Sequence, residues 1–233
     1  MDDLDDLTLS SSNGAMLKFN TRHCQVAGMP HDDAMATSTR ATPGRDLRQE
    51  ILHTARALLN DAGVSGLSMR EVARRAGVTH QAPYHHFGDR ESILAELVAE
   101  GFHELGRDLA QANTLAAHDL RGAVIASGRA YIDFALRNPG VFRVMFRPET
   151  CDPARFPAVQ AAGQAAQATL IELVSMVHGA QASPALCMVY WAHVHGMASL
   201  LLDGSLGQEC PMGPLRDTLL DEVTQTFATL VMG

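Results

Sequence analysis

Tyrosine and tryptophan are nearly absent: three and one in 233 residues. Strands draw on aromatic and β-branched side chains, so this shortage, beside an abundance of Ala and Leu, points away from sheet and toward helix. Paired cysteines are missing too. Cys24, Cys151, Cys187 and Cys210 lie far apart with no CxxC spacing, which argues against a disulfide scaffold and reads as reduced thiols in a cytoplasmic protein. The start, Met1-Asp2-Asp3-Leu4-Asp5-Asp6, has no basic residue and no apolar stretch, so no secretory signal is expected. No uncharged apolar run of membrane-spanning length is expected either, and hence no membrane partner. GxSxG, HExxH, a P-loop and GxGxxG followed by a strand pattern are all lacking. A small-molecule enzyme on a helical scaffold is therefore an alternative without a motif to carry it.

What is present begins with charge. The net charge of −8 looks wrong for a polyanionic partner, yet its distribution is uneven. Residues 1–39 hold 2 Lys/Arg against 6 Asp/Glu, residues 93–233 hold 8 against 14, and residues 40–92 hold 8 against 6. Only the middle segment is net positive, and local charge decides phosphate contact.

Residues 1–44 lack helical periodicity and are broken by Gly14, Gly28, Pro30, Pro43 and Gly44. They are expected to form a disordered extension, followed by a DNA-binding domain over 45–92 and a larger helical domain over 93–233. Leu47, Ile51, Ala55, Leu58 and Leu59 share one face of a helix running from about 46 to 62, closed by Gly63. Ser68-Met69-Arg70-Glu71 is a capping box opening a second helix that Gly77 ends. Thr79 is expected to cap a third helix over 80–85, and Asp89 a fourth running to about 113. Further helices are expected at about 119–137, 139–147, 155–179, 184–203 and 213–231, punctuated by Pro and Gly. The fold class is all-α.

The second and third helices, joined by Ala76-Gly77-Val78-Thr79, read as a helix-turn-helix. In that motif the second helix enters a major groove with its N-terminal residues on base edges, while the first braces it. Thr79, His80, Gln81 and Tyr84 would face the groove. Gln pairs with adenine, and Thr contacts a thymine methyl or a phosphate. Arg45, Arg70 and Arg90, with Arg74 and Arg75, offer phosphate partners. Free amides at the start of the fourth helix would favour the same anion.

The stretch ILHTARALLNDAGVSGLSMREVARRAGVTHQAPYHHFGDRESIL resembles the tetracycline-repressor (TetR) family of bacterial regulators. The family pattern Leu-Tyr-x-His-Phe-x-x-Lys is similar to Pro83-Tyr84-His85-His86-Phe87-Gly88-Asp89-Arg90 here. By that resemblance Tyr84, His85, Ser68 and Arg90 fall on phosphate-contacting positions, and Phe87 on a packing position. Arg replaces Lys at 90 and keeps the charge; Pro replaces Leu at 83. Trp191-Ala192-His193-Val194-His195-Gly196 is similar to the W-x-x-x-H-G signature of a subgroup with a Trp-His-Gly (WHG) C-terminal domain. Tyr131-Ile132-Asp133-Phe134-Ala135 and the run 138–146 resemble that subgroup as well. The resemblance implies a homodimer on a pseudo-palindromic operator, formed through the last two helices, and regulation by a small apolar effector, repression being the commoner mode.

The candidate effector pocket comprises Tyr131, Phe142, Met145, Phe146, Met188, Trp191 and His195, with His193 and Arg143 as further polar groups. Apolar stripes at Trp191, Val194, Ala198, Leu201 and Leu202, and at Leu215, Leu219, Val223, Phe227 and Leu230, have width for a partner as well as a core. A metal- or redox-responsive regulator using His and Cys is the alternative. It is disfavoured because His193 and His195 point about 200° apart on a helix. No cofactor and no metal is expected.

Overall fold

A computed structural model describes residues 46–115, 118–152, 154–206 and 213–233. The N-terminal extension, and with it Arg45, lies outside the described residues. Among those described, all regular structure is helical. The order is α1 (Leu47–Gly66), α2 (Met69–Ala76), α3 (Ala82–Phe87), α4 (Arg90–Leu115), α5 (Leu120–Arg137), α6 (Pro139–Met145), α7 (Pro157–His178), α8 (Pro184–Leu202) and α9 (Pro214–Met232), with a 3₁₀ turn between α7 and α8.

Local chemistry sets the boundaries of the first three helices. Asp46 caps α1 through Gln49 N, and the helix breaks at Gly63 (φ 65°). Ser68 Oγ accepts from Glu71 N at 3.2 Å. The reciprocal half of the expected capping box is replaced, because Glu71 turns its carboxylate to Arg74 and Arg75 instead. Gly77 (φ 67°) adopts the left-handed conformation in which a Cβ is costly. Val78 N then bonds Ala73 O, and Gly77 N bonds Arg74 O, a Schellman closure that sends the chain sharply into the turn.

The third helix starts later than expected. Gln81 is its N-cap, with no side-chain cap bond, and Thr79 instead closes a turn through Ala82 N. Pro83 thus falls at the second helical position, where the missing N–H would have had no intrahelical partner. Asp89 caps α4 as expected, its Oδ1 accepting from Ser92 N at 2.7 Å.

The head, α1 to α3 with the first turns of α4, buries Ile51, Leu52, Leu58, Leu59, Val72, Ile93, Leu94, Leu97 and Val98 almost completely. Helix α4 runs on without a break into the body, so one rod serves both regions. It packs there on α5 and α7, with α8 and α9 laid against α5. Arg129 ties α5 to α9 through Asp217 and Asp221. Helix α6 seats its N-terminus on α1. Gly140 N donates to Asn60 Oδ1 at 2.9 Å, and a Cβ on Gly140 would lie 2.3 Å from Leu59 O. Arg56 reinforces this junction by reaching Glu100, Glu104 and Asn138.

One expectation is corrected by α8. It has no Asp, Glu, Lys or Arg over nineteen residues and is long and apolar enough to cross a membrane by length and composition. Two surfaces account for its apolarity. Cys187, Tyr190 and Ala198 face the body, while Ala185, Met188, Val189, Ala192 and Leu200 lie exposed along the opposite side.

Candidate functional site

Thr79, His80, Gln81, Tyr84 and His85 form one exposed surface at the start of α3. Pro83 and Phe87 are buried on its other side, so the helix is held by apolar contacts while its polar face is presented outward. The His80 and Tyr84 rings lie 5.6 Å apart. Ser68 and Arg70, at the start of α2, are also exposed.

The arginines behave less uniformly than their number implied. Arg48 pairs with Glu96 and lies 4.9 Å over the Phe87 ring. Arg74 bonds Glu71 at 2.7 Å, and Arg75 bonds Asp61 at 2.8 Å. Hydrogen bonds from Arg74 and then Arg75 hold the Glu71 carboxyl down to about 2. Arg90 Nε donates to Leu67 O at 2.7 Å and Nη2 to Val64 O, so two of its nitrogens brace the C-terminal end of α1 and its cap. The α4 N-terminus is likewise engaged, since the Ser92 amide and hydroxyl hold the Asp89 carboxyl below its ordinary value. Arg155 reaches back from the body to Asp89 and Glu91. Among the described arginines of the head, Arg48, Arg56, Arg74 and Arg75 are ion-paired, Arg90 is held on backbone carbonyls, and Arg70 makes no ion pair with another described residue. The excess of positive charge counted along the sequence is therefore mostly spent inside the fold.

In the body, α4, α5, α7, α8 and α9 line a partly open cavity of about 70 Å³. Of the expected pocket residues, Tyr131, Phe146 and Trp191 line it. Phe142 and Met145 are buried in the core but do not line it. Met188 is 42% exposed on the outer side of α8, and Arg143 reaches Leu202 O at the end of that helix.

Of the two histidines expected in the pocket, only one lines the cavity. His193 lines the cavity and stacks on Phe227 at 4.0 Å, whereas His195 lies behind the wall with its Nδ1 2.9 Å from Tyr131 Oη. Trp191 Nε1 donates to the same oxygen at 3.2 Å. The Tyr131 hydroxyl thus joins Trp191 to His195. Burial favours the neutral form of His195 and pushes the Tyr131 phenol upward.

No group of three metal-ligating side chains occurs among the described residues. Burial pushes the Cys151 thiol up to about 11, which leaves little thiolate for redox chemistry at neutral pH. Sequence reasoning missed Ser127, Gln167 and Thr224 as polar cavity residues, because no motif marks them.

Residues 51–97 match the family described as "Bacterial regulatory proteins, tetR family", and residues 124–227 match "Tetracyclin repressor-like, C-terminal domain". The chain belongs to the TetR family. Its TetR-family head and body are thus both covered.

The chain is 30% identical over 102 residues to the uncharacterized HTH-type transcriptional regulator YobS of Bacillus subtilis, covering 43% of this chain and 52% of the relative. It is also 30% identical over 118 residues to the HTH-type transcriptional regulator Rv1816 of Mycobacterium tuberculosis, covering 48% and 50%. The chain spans about half the length of the curated relatives it matches. Among solved structures, a Rhodococcus protein of unknown function superposes with a TM-score of 0.69 at 29% identity, over 83% of this chain and 97% of that one. The TetR-family regulator PfmR of Thermus thermophilus shares the fold at 20% identity, with a TM-score of 0.59 over 78% and 96%.

Proposed function

We propose that this TetR-family chain is a ligand-responsive transcriptional regulator acting in the cytoplasm as a homodimer on a pseudo-palindromic operator. The observation that carries the reading is the exposed row Thr79, His80, Gln81, Tyr84 and His85 on a short helix anchored by buried Pro83 and Phe87. Gln81 reads a base edge, Tyr84, His85 and Ser68 hold phosphates, and Arg70 supplies the unpaired charge. Arg90 contributes through the nitrogen left over from its backbone contacts, and Arg45 through the arm preceding α1. Residues 45–92 read DNA, and residues 93–233 bind effector and partner.

A second copy covers the outer side of α8. Ala185, Ala192, Gly196 and Ser199 share that side with Met188, Val189 and Leu200, all within one helical face. Such small side chains let two helices approach closely, and an uncharged face of this kind is suited to a helical bundle between copies. A two-fold dimer then presents two α3 helices to successive major grooves. An effector that binds one spacing of the heads better than another shifts DNA affinity by that difference. The regulated outcome is repression released by effector.

Selection of bound fragments from genomic DNA by the purified chain tests this reading. Recovery of a two-fold-symmetric sequence whose base preference changes in Gln81→Ala upholds it. Enrichment of no sequence overturns it.

A further inference from the structure

The cavity carries chemistry more specific than an effector-binding role. Its lining includes no Asp, Glu, Lys or Arg, so a buried ion would have no counter-charge. Six aromatic rings, from Phe102, Tyr131, Phe146, Tyr190, Trp191 and Phe227, form much of the wall. Nε2 of His193 is buried with no hydrogen-bond partner, while the ring itself is fixed by its parallel stack on Phe227. A buried polar atom left unmatched is costly and marks a place for a ligand group.

Two glycines point the same way. Gly128 lies inside α5 and Gly163 inside α7, where glycine weakens a helix relative to alanine. A Cβ on Gly128 would come no closer than 3.5 Å to Thr224, and one on Gly163 no closer than 3.7 Å to Phe102. Both are ordinary contact distances, so packing does not demand glycine at either position. What glycine does there is leave space along the cavity wall.

We propose that the cavity binds a compact, uncharged, largely hydrophobic molecule with one hydroxyl group, placed on Nε2 of His193, and that Gly128 and Gly163 keep the room for it. A hydroxyl both donates and accepts, so it pairs with either neutral tautomer of the imidazole. A single ring is the upper size. The cavity of about 70 Å³ is roughly half the ~150 Å³ that accommodates benzene in an engineered protein core, so a ring enters with side-chain adjustment. This assignment rests on the reading of the body as an effector domain.

Trp191, the one tryptophan of the chain, lines the cavity and reports on its occupancy. The full chain is titrated with phenol, benzene and benzoate, following Trp191 fluorescence and melting temperature. Binding to the selected operator is measured on the same samples. Phenol binds saturably and raises the melting temperature, benzene binds about tenfold more weakly for want of one hydrogen bond, and benzoate does not bind. His193→Phe keeps the ring stack and abolishes the preference for phenol over benzene; His193→Gln, which retains a hydrogen-bonding end, restores part of it. Gly128→Ala and Gly163→Ala each weaken phenol about tenfold or more by filling the site, with melting temperatures equal to or above the parent's. Equal affinities for phenol and benzene, tightest binding of benzoate, or glycine variants that bind phenol like the parent would overturn the assignment. A chain that binds operator but none of the three compounds overturns this assignment and leaves the regulator reading standing. A chain that binds phenol as described but no DNA does the reverse.

Discussion

The head and the body are built from the same kinds of helix yet packed to different ends. Among the described residues, seven of the ten largest fully buried side chains lie in the head, among them Ile51, Leu58, Leu94 and Leu97, against Ile132, Phe134 and Leu220 in the body. The head spends its arginines on internal pairs and backbone carbonyls and presents one compact polar face. The body keeps a cavity, two glycines of long helices in its wall, a histidine nitrogen without a partner and an apolar helix side turned outward. Under the proposed function, a surface that matches a fixed DNA shape is served by close packing, while a region that accepts a ligand and a second copy is served by unmet contacts.

The contrast can be broken first through packing. Leu58→Ala in the head lowers unfolding free energy by about 2–5 kcal/mol. Leu173→Ala, at an equally buried position on the cavity wall, costs less, because a side chain beside a void has fewer contacts to lose. Denaturant midpoints of the two variants measure the difference; equal losses would remove the distinction between the regions.

Charge on the outer side of α8 comes next. Ala192→Arg buries a cation without a partner between copies and costs the dimer about 3 kcal/mol or more. Sedimentation then shows a shift to single chains with the helical circular dichroism spectrum retained.

Tyr84→Ala addresses the head's reading face alone. The residue is 42% exposed, so stability is unchanged, while operator affinity falls about ten- to a hundredfold, corresponding to about 1–3 kcal/mol. Fluorescence anisotropy on labelled duplex measures the loss.

The smallest effect concerns Glu71. Its carboxyl is held down to about 2 by the two arginines, below its unfolded value. Whatever stability the pairs contribute is therefore present above the unfolded carboxylate range and lost only as pH falls toward about 2. Glu71→Gln releases Arg74 at neutral pH, while Arg75 keeps its pair with Asp61. Nonspecific DNA binding strengthens, and the slope of log affinity against log salt steepens by about 1.

Much of the fold could be read along the chain because its signals are local. Ser68, Gly77 and Asp89 act on amides within five residues, and Pro139, Pro157 and Pro184 start the helices that were expected from them. What could not be read is non-local. Arg56 finds partners 44 to 82 residues away, so counting charge in a window overstated what is free for phosphate. Helical spacing showed that His193 and His195 diverge, but only packing against α5 and α9 decides which of them meets the cavity. On α8, apolar residues occupy nearly every side, so no stripe distinguishes Met188 on the outer surface from Trp191 on the inner one.

The most direct test of the account is the ratio of affinities for the selected operator and for a scrambled duplex at one salt concentration, measured for the parent chain and for Gln81→Ala. The account predicts a ratio of about 10³ or more for the parent, with two copies per duplex and a large loss in the variant. A ratio near one, or a parent and variant that bind alike, would contradict it.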